Sequence, residues 1–230
     1  MLTENPLTES SLTHAALKQS HRLVRDEHPV NLRLRVHRAL SWLNRAEQAE
    51  DVDGKFIFLW IAFNAAYAQE LFDDNNHASG TVAFTAFLEK LCDLDTNKHI
   101  DKLVWKEFSQ SVRVLLDNPY VFSSFWDFQR GKLDESGWKK RFASAKEAAS
   151  LALKSGNTAV LLSIVFNRLY TLRNQLIHGG ATWDGKVNRD QLRDCTRFLS
   201  KLVPVIIALM MDNPNALWGD AVYPVVEQGV

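Results

Sequence analysis

Arg173, Asn174 and His178 stand in the spacing R-x4-H, and Gly179 and Gly180 follow directly. A permanently charged guanidinium can hold a phosphate and neutralise charge developing on it. An imidazole titrates near neutrality and can move protons. An amide can donate a hydrogen bond and orient either group. The set suits RNA cleavage without a metal, in which a 2′-hydroxyl attacks the adjacent phosphate, a base takes its proton and a cation stabilises the crowded phosphorane. No carboxylate or histidine cluster with metal-ligand spacing competes as the site, so neither metal nor cofactor is expected. A structural reading stands beside the chemical one: Arg173 pairs with a carboxylate, and His178 caps a helix end. The spacing itself decides nothing, because a chain of this size matches R-x4-H readily by chance.

Helical geometry sharpens the pattern. At about 3.6 residues per turn, Val165, Leu169, Leu172 and Leu176 share one face, while Asn167, Thr171, Asn174 and His178 line the opposite one. Arg173 lies about 140° around the helix from His178. The two side chains of one helix therefore do not converge easily. Either the arginine reaches round, the helix distorts, or a second copy supplies the missing partner. The unpaired carbonyls of a last helical turn carry partial negative charge, which suits a cation there.

These residues need helices to position them, and helical spacing recurs throughout while strand signals are scarce. The spacing predicts helices over 13–27, 31–49, 54–72, 81–94, 98–117, 119–130, 136–154, 157–178 and 188–211. Residues 1–12 read as disordered and DDNNHASG, 73–80, as a loop. Asp51 or Asp53 caps the third helix. Its FIFLWIAFNAAYA is apolar nearly all round, which makes it central. Gly179 and Gly180 end the motif helix, as glycine past a C-terminus commonly does. The stretch 130–146 is locally basic, through Arg130, Lys132, Lys139, Lys140, Arg141 and Lys146. It reads as a solvated face or as a contact for a polyanion.

Composition bounds the rest. The 230 residues are 46% hydrophobic and include seven tryptophans, ample for a core. The 27 basic and 27 acidic residues balance, which excludes a generic nucleic-acid coat but not an enzyme with a small local site. Cys92 and Cys195 lie far apart and form no CxxC, so two buried thiols in a reducing cytoplasm are expected. The polar start, Met1–Ser11, does not read as a leader. The longest apolar run, Leu202–Met211, holds Pro204, is too short to span a bilayer and reads as a buried helix; no membrane contact is expected.

The segment LYTLRNQLIHGG, 169–180, resembles the signature of the HEPN family of helical-bundle proteins, and GKFIFLWIAFNAAYA, 54–68, shows the W-x-x-F-N-A-x-Y flavour of its large members. The resemblance covers mainly about 29–72 and 157–211. It implies an all-α antiparallel bundle over 29–212 with inserted helices at about 80–156, an extension at 1–28 and a tail at 213–230. It also implies a homodimer and a metal-independent endoribonuclease of toxin–antitoxin, antiviral or RNA-processing type, with RNA as substrate and an antitoxin or other protein as a further partner. The family's R-x4-6-H residues fall on Arg173 and His178, and its polar residue after the arginine on Asn174. Two copies of the motif typically meet across the dimer interface. Some toxin members carry a tyrosine two residues after the histidine; Gly180 stands there in this chain. Other members have lost catalysis and serve as modules that bind a protein or a nucleotide.

Secondary candidates surround the motif. Asn64, inside an apolar helix, lines the site beside Tyr67 or ties two helices together. Asn167 and Tyr170 precede the motif on its own helix. Arg189 and Arg193, with Arg197 and Lys201, recur every four residues on the next helix; they track an RNA backbone or pair with neighbours such as Asp190 and Asp194. Trp60 reads as core.

Overall fold

A computed structural model describes residues 9–67, 77–216, 218–221 and 223. Among these are ten α-helices and no strand: α1 (His14–Val24), α2 (Val30–Glu47), α3 (Val52–Tyr67), α4 (His77–Leu94), α5 (His99–Lys102), α6 (Ser109–Asp117), α7 (Ser123–Gln129), α8 (Glu135–Ser155), α9 (Thr158–Ile177) and α10 (Arg189–Asp212). The chain is thus all-α. No helix of the described residues is long and apolar enough to cross a membrane.

Side chains explain four of the helix starts. The Thr13 hydroxyl accepts from the Ala16 N–H, Asp51 Oδ1 from Gly54 at 2.7 Å, Asp134 Oδ1 from Gly137 at 2.8 Å and Asn157 Oδ1 from Val160 at 3.0 Å. Each satisfies a donor that the helix itself leaves open. The expected helix at 54–72 starts two residues earlier, and Asp51 is its cap. Its end beyond Tyr67 falls outside the described residues, as do the expected disorder of 1–8 and the first half of the 73–80 loop. Several expectations differ: Glu9–Leu12, read as disordered, form a 3-10 helix, and the helix expected over 119–130 is a 3-10 turn at Pro119–Val121 followed by α7. Helix α4 begins at His77, inside the segment read as a loop. The single helix expected over 98–117 is broken into α5, a π-helical turn at Leu103–Glu107, and α6. The Trp105 indole donates to the Thr158 hydroxyl at 2.7 Å, which donates in turn to Asp101, so side-chain bonds to α9 accompany the irregular turn.

Helices α3 and α10 form the centre. Helix α3 packs most extensively on α2 and then on α10. It buries Phe56, Leu59, Trp60, Phe63 and Tyr67. The run Leu202–Met211 is buried throughout, with Pro204 inside an unbroken helix. Trp60 and Phe63 meet Phe166 of α9, with centroids 6.2 and 4.3 Å apart, and Phe84 of α4 completes the cluster. Burial of such rings dominates core energetics.

Two arginines lie inside this core, and among the described residues no carboxylate pairs with them. Arg35, 1% exposed, gives its guanidinium N–H groups to the carbonyls of Ala66 and Tyr67 at the end of α3 and of Trp218 and Gly219 after α10. Trp218 is itself buried, and its indole donates to the Asn213 carbonyl. The segment read as a plain tail is therefore docked at this point. Arg168 of α9, 3% exposed, sits 4.3 Å over the Phe122 ring and 5.6 Å from Phe142. Burial lowers both guanidiniums to about 10, so both remain charged at neutral pH.

Candidate functional site

Helix α9 runs without distortion from its Asn157 cap to Ile177, so Arg173 and His178 stay on different sides of it. Val165, Leu169 and Leu172 are buried and Leu176 is half-buried, which fixes the apolar face as expected. His178 is the terminal cap; its N–H donates to the Asn174 carbonyl at 3.0 Å. Gly179 follows with φ +69°. The reversal is sealed by the Ala181 N–H, which donates to the Gln175 carbonyl at 2.9 Å. A left-handed residue at this point is what a non-glycine side chain resists.

Arg173 is half-buried. Its Nη1 donates to Asn174 Oδ1 at 2.9 Å, its guanidinium lies 5.9 Å from the Tyr170 ring, and its buried Nε has no acceptor among the described residues. Among the described residues, no carboxylate forms an ion pair with it. The carboxylate-paired reading of Arg173 thus has no partner there. The His178 side chain is exposed. Arg173 and Asn174 are brought together; His178 stands five positions after Arg173, at the helix end.

The remaining candidates divide. Tyr170 is half-buried and meets Trp60 with centroids 6.2 Å apart. Asn64 is half-buried, and among the described residues its buried Oδ1 has no donor, so no tie to another helix is seen there. Tyr67 is 3% exposed among Phe63, Phe84 and Phe87, and burial pushes its phenol up to about 12; it is a core residue, closed to a substrate. Asn167 is exposed but bonds its own helix, donating to the Ser163 carbonyl at 3.0 Å. Arg189 holds Asp53 through two bonds, at 2.7 and 3.4 Å, and donates from Nε to the Gly185 carbonyl. It therefore anchors α10 to α3 and offers no open cation. Arg193 pairs with Asp190 at 3.3 Å on the surface, and Lys201 with Glu107 at 2.6 Å. The four-residue stripe is largely neutralised by neighbours.

Other residues join the site without having been singled out. Gln175, inside the motif, donates to the Tyr120 carbonyl at 2.6 Å and accepts from the Asn188 amide at 3.2 Å; Asn118 donates to Asn188 at 3.4 Å. This chain of amides joins the motif helix to the segment before α7 and to the start of α10. Beside it opens a cleft of about 700 Å³, walled by Asn118, Tyr120, Val187, Asn188 and Gln191. Ile177, Trp183 and Val187 are exposed apolar side chains, at 46%, 76% and 76%, and Val187 also lines the cleft. Glutamine spaced two residues from an arginine carries no signal of its own. The Asn118-Pro119 turn was visible, but its partner across the fold was not. Among the described residues, no group of three or more His, Cys, Asp or Glu side chains could hold a metal ion.

No protein-family model, curated protein or solved structure matches the chain.

Proposed function

We propose that the protein is a metal-independent endoribonuclease of HEPN type, working as a homodimer in an RNA-processing, toxin–antitoxin or antiviral role. The observation that carries this reading is Arg173: a half-buried guanidinium held by Asn174, with an orphaned Nε and no carboxylate partner among the described residues. A cation kept in place without an anion is suited to a phosphate. Arg173 binds the scissile phosphate and stabilises charge on its oxygens in the transition state. Asn174 holds the guanidinium. His178, exposed at the helix end, takes the 2′-hydroxyl proton or protonates the leaving oxygen.

The regularity of α9 supports assembly of the site from two subunits. Arg173 of one copy and His178 of the other flank one phosphodiester, with exposed Ile177 and Trp183 as the apolar contact between copies.

The test is direct. In excess chelator, the purified protein cuts single-stranded RNA into fragments ending in 2′,3′-cyclic phosphate. Arg173→Ala and His178→Ala each lower the rate at least about a hundredfold, with melting temperature unchanged for His178→Ala. RNA that stays intact at high protein concentration, or full cleavage by both variants, rejects the proposal and leaves a non-catalytic binding module.

A further inference from the structure

The segment from Asn118 to Lys146, which carries α7 and α8, joins aromatic rings and positive charge next to the motif helix. Between 130 and 146 stand six basic side chains against two acidic ones, Asp134 and Glu135, in a chain whose 27 basic and 27 acidic residues balance overall. Three of the six are matched: Arg130 by Asp127 at 2.8 Å, Lys139 by Glu135 at 2.6 Å and Lys146 by Asp117 at 2.8 Å. Lys132, Lys140 and Arg141 are exposed and, among the described residues, have no ion-pair partner.

The aromatic side chains have a direction. Phe122 and Phe142 seat the hairpin on buried Arg168. Outward from them run Trp138 and Phe125, at successive centroid distances of 6.1 and 5.3 Å, ending at Tyr120. Tyr120 is 49% exposed and forms one wall of the open cleft. Its backbone is clamped: the N–H donates to Asn118 Oδ1, and the carbonyl accepts from Gln175 and from the Trp126 indole. A ring on a fixed backbone, open on one side and one hydrogen bond from the helix that carries Arg173, is arranged as a stacking platform.

We infer that the α7–α8 hairpin binds single-stranded RNA, with a base stacked on Tyr120 in the cleft and phosphates held by Lys132, Lys140 and Arg141. This deepens the proposed function and rests on it for the direction of the strand toward Arg173. Single strands fit better than duplex because an exposed ring can stack only on a base free of its own neighbours. The charge is local, which gives phosphate contacts without a basic surplus over the whole chain.

The experiment uses the full chain carrying His178→Ala, so that binding is read without cleavage. Anisotropy of a fluorescein-labelled 12-nucleotide single-stranded RNA is followed at several salt concentrations. Lys132→Glu/Lys140→Glu/Arg141→Glu weakens binding at least tenfold at low salt and flattens the salt dependence, whose slope falls by up to about 2. Tyr120→Ala weakens it about five- to a hundredfold with little change in slope, and Tyr120→Trp restores it. Unchanged affinity in both sets, or equal affinity for a 12-base-pair duplex, overturns the inference. Hairpin-dependent binding with no cleavage by the unmodified chain sinks the ribonuclease reading and keeps this one. Cleavage and binding indifferent to every hairpin variant do the reverse.

Discussion

Arg189 and Asp53 show how much a side chain's partner decides. By spacing, Arg189 belonged to a basic stripe; in the fold its guanidinium is bidentate on a carboxylate only 10% exposed. Removing one member of such a pair leaves the other charge without compensation. Arg189→Ala should therefore lower stability by about 2–4 kcal/mol in urea unfolding, while RNA cleavage per folded molecule stays within twofold. A large loss of cleavage at full stability would instead make Arg189 a substrate contact. Gly179→Ala, forced to φ +69°, should cost about 1 kcal/mol by the same measurement. At this scale the apolar residues were legible in the sequence. Trp60 and the Val165–Leu172 face are where periodicity puts them, because burial follows from a residue's own chemistry. Polar residues were less legible. Arg168 looks like any helical arginine until Phe122 and Phe142 close over it, and Gln175 matters only because Tyr120 and Asn188 arrive from far along the chain.

Among the elements, α1 carries a response to acid. His21 on its inner face is 2% exposed, and its Nε2 has no partner among the described residues. Burial, with help from the charges of Lys18, His28, His37 and Arg25, lowers its imidazole to about 4. Proton uptake is thus disfavoured in the folded chain relative to the unfolded one. The associated stability is complete above about pH 6.5 and is lost as pH falls from there toward 4. The loss is up to about 2 kcal/mol at pH 5, and His14 and His37, also lowered mainly by burial, add to it in the same direction. Melting temperature should fall by several degrees between pH 7.5 and 5, and His21→Leu should flatten that slope; an unchanged slope would exclude His21 as the sensor. Helix existence was readable from periodicity and from the cap at Asp51, which acts within four residues. The π-helical turn at Leu103–Glu107 was not, because the Trp105–Thr158 bond that accompanies it spans 53 residues.

For the whole molecule, a site divided between subunits makes a prediction that no single-chain site shares. Equal amounts of Arg173→Ala and His178→Ala chains, each inactive, should regain about a quarter of the original activity when allowed to exchange. Half the dimers are then mixed, and each mixed dimer holds one complete site. No recovery after verified exchange would place Arg173 and His178 in the same chain's site. In the core, Phe166→Ala should cost about 3–5 kcal/mol, because Phe63, Phe84 and Trp60 all lose a neighbour. Chain ends matter as well, by way of Arg35. Its N–H groups are divided between α3 and the Trp218–Gly219 stretch, and water cannot replace either set in so closed a place. A protease that nicks the chain near Asn215 would therefore strand an ion some 180 positions upstream in sequence. Clipping at the far end would act as a core lesion in α2, so that susceptibility to digestion there becomes a gauge of how tightly the entire bundle is closed.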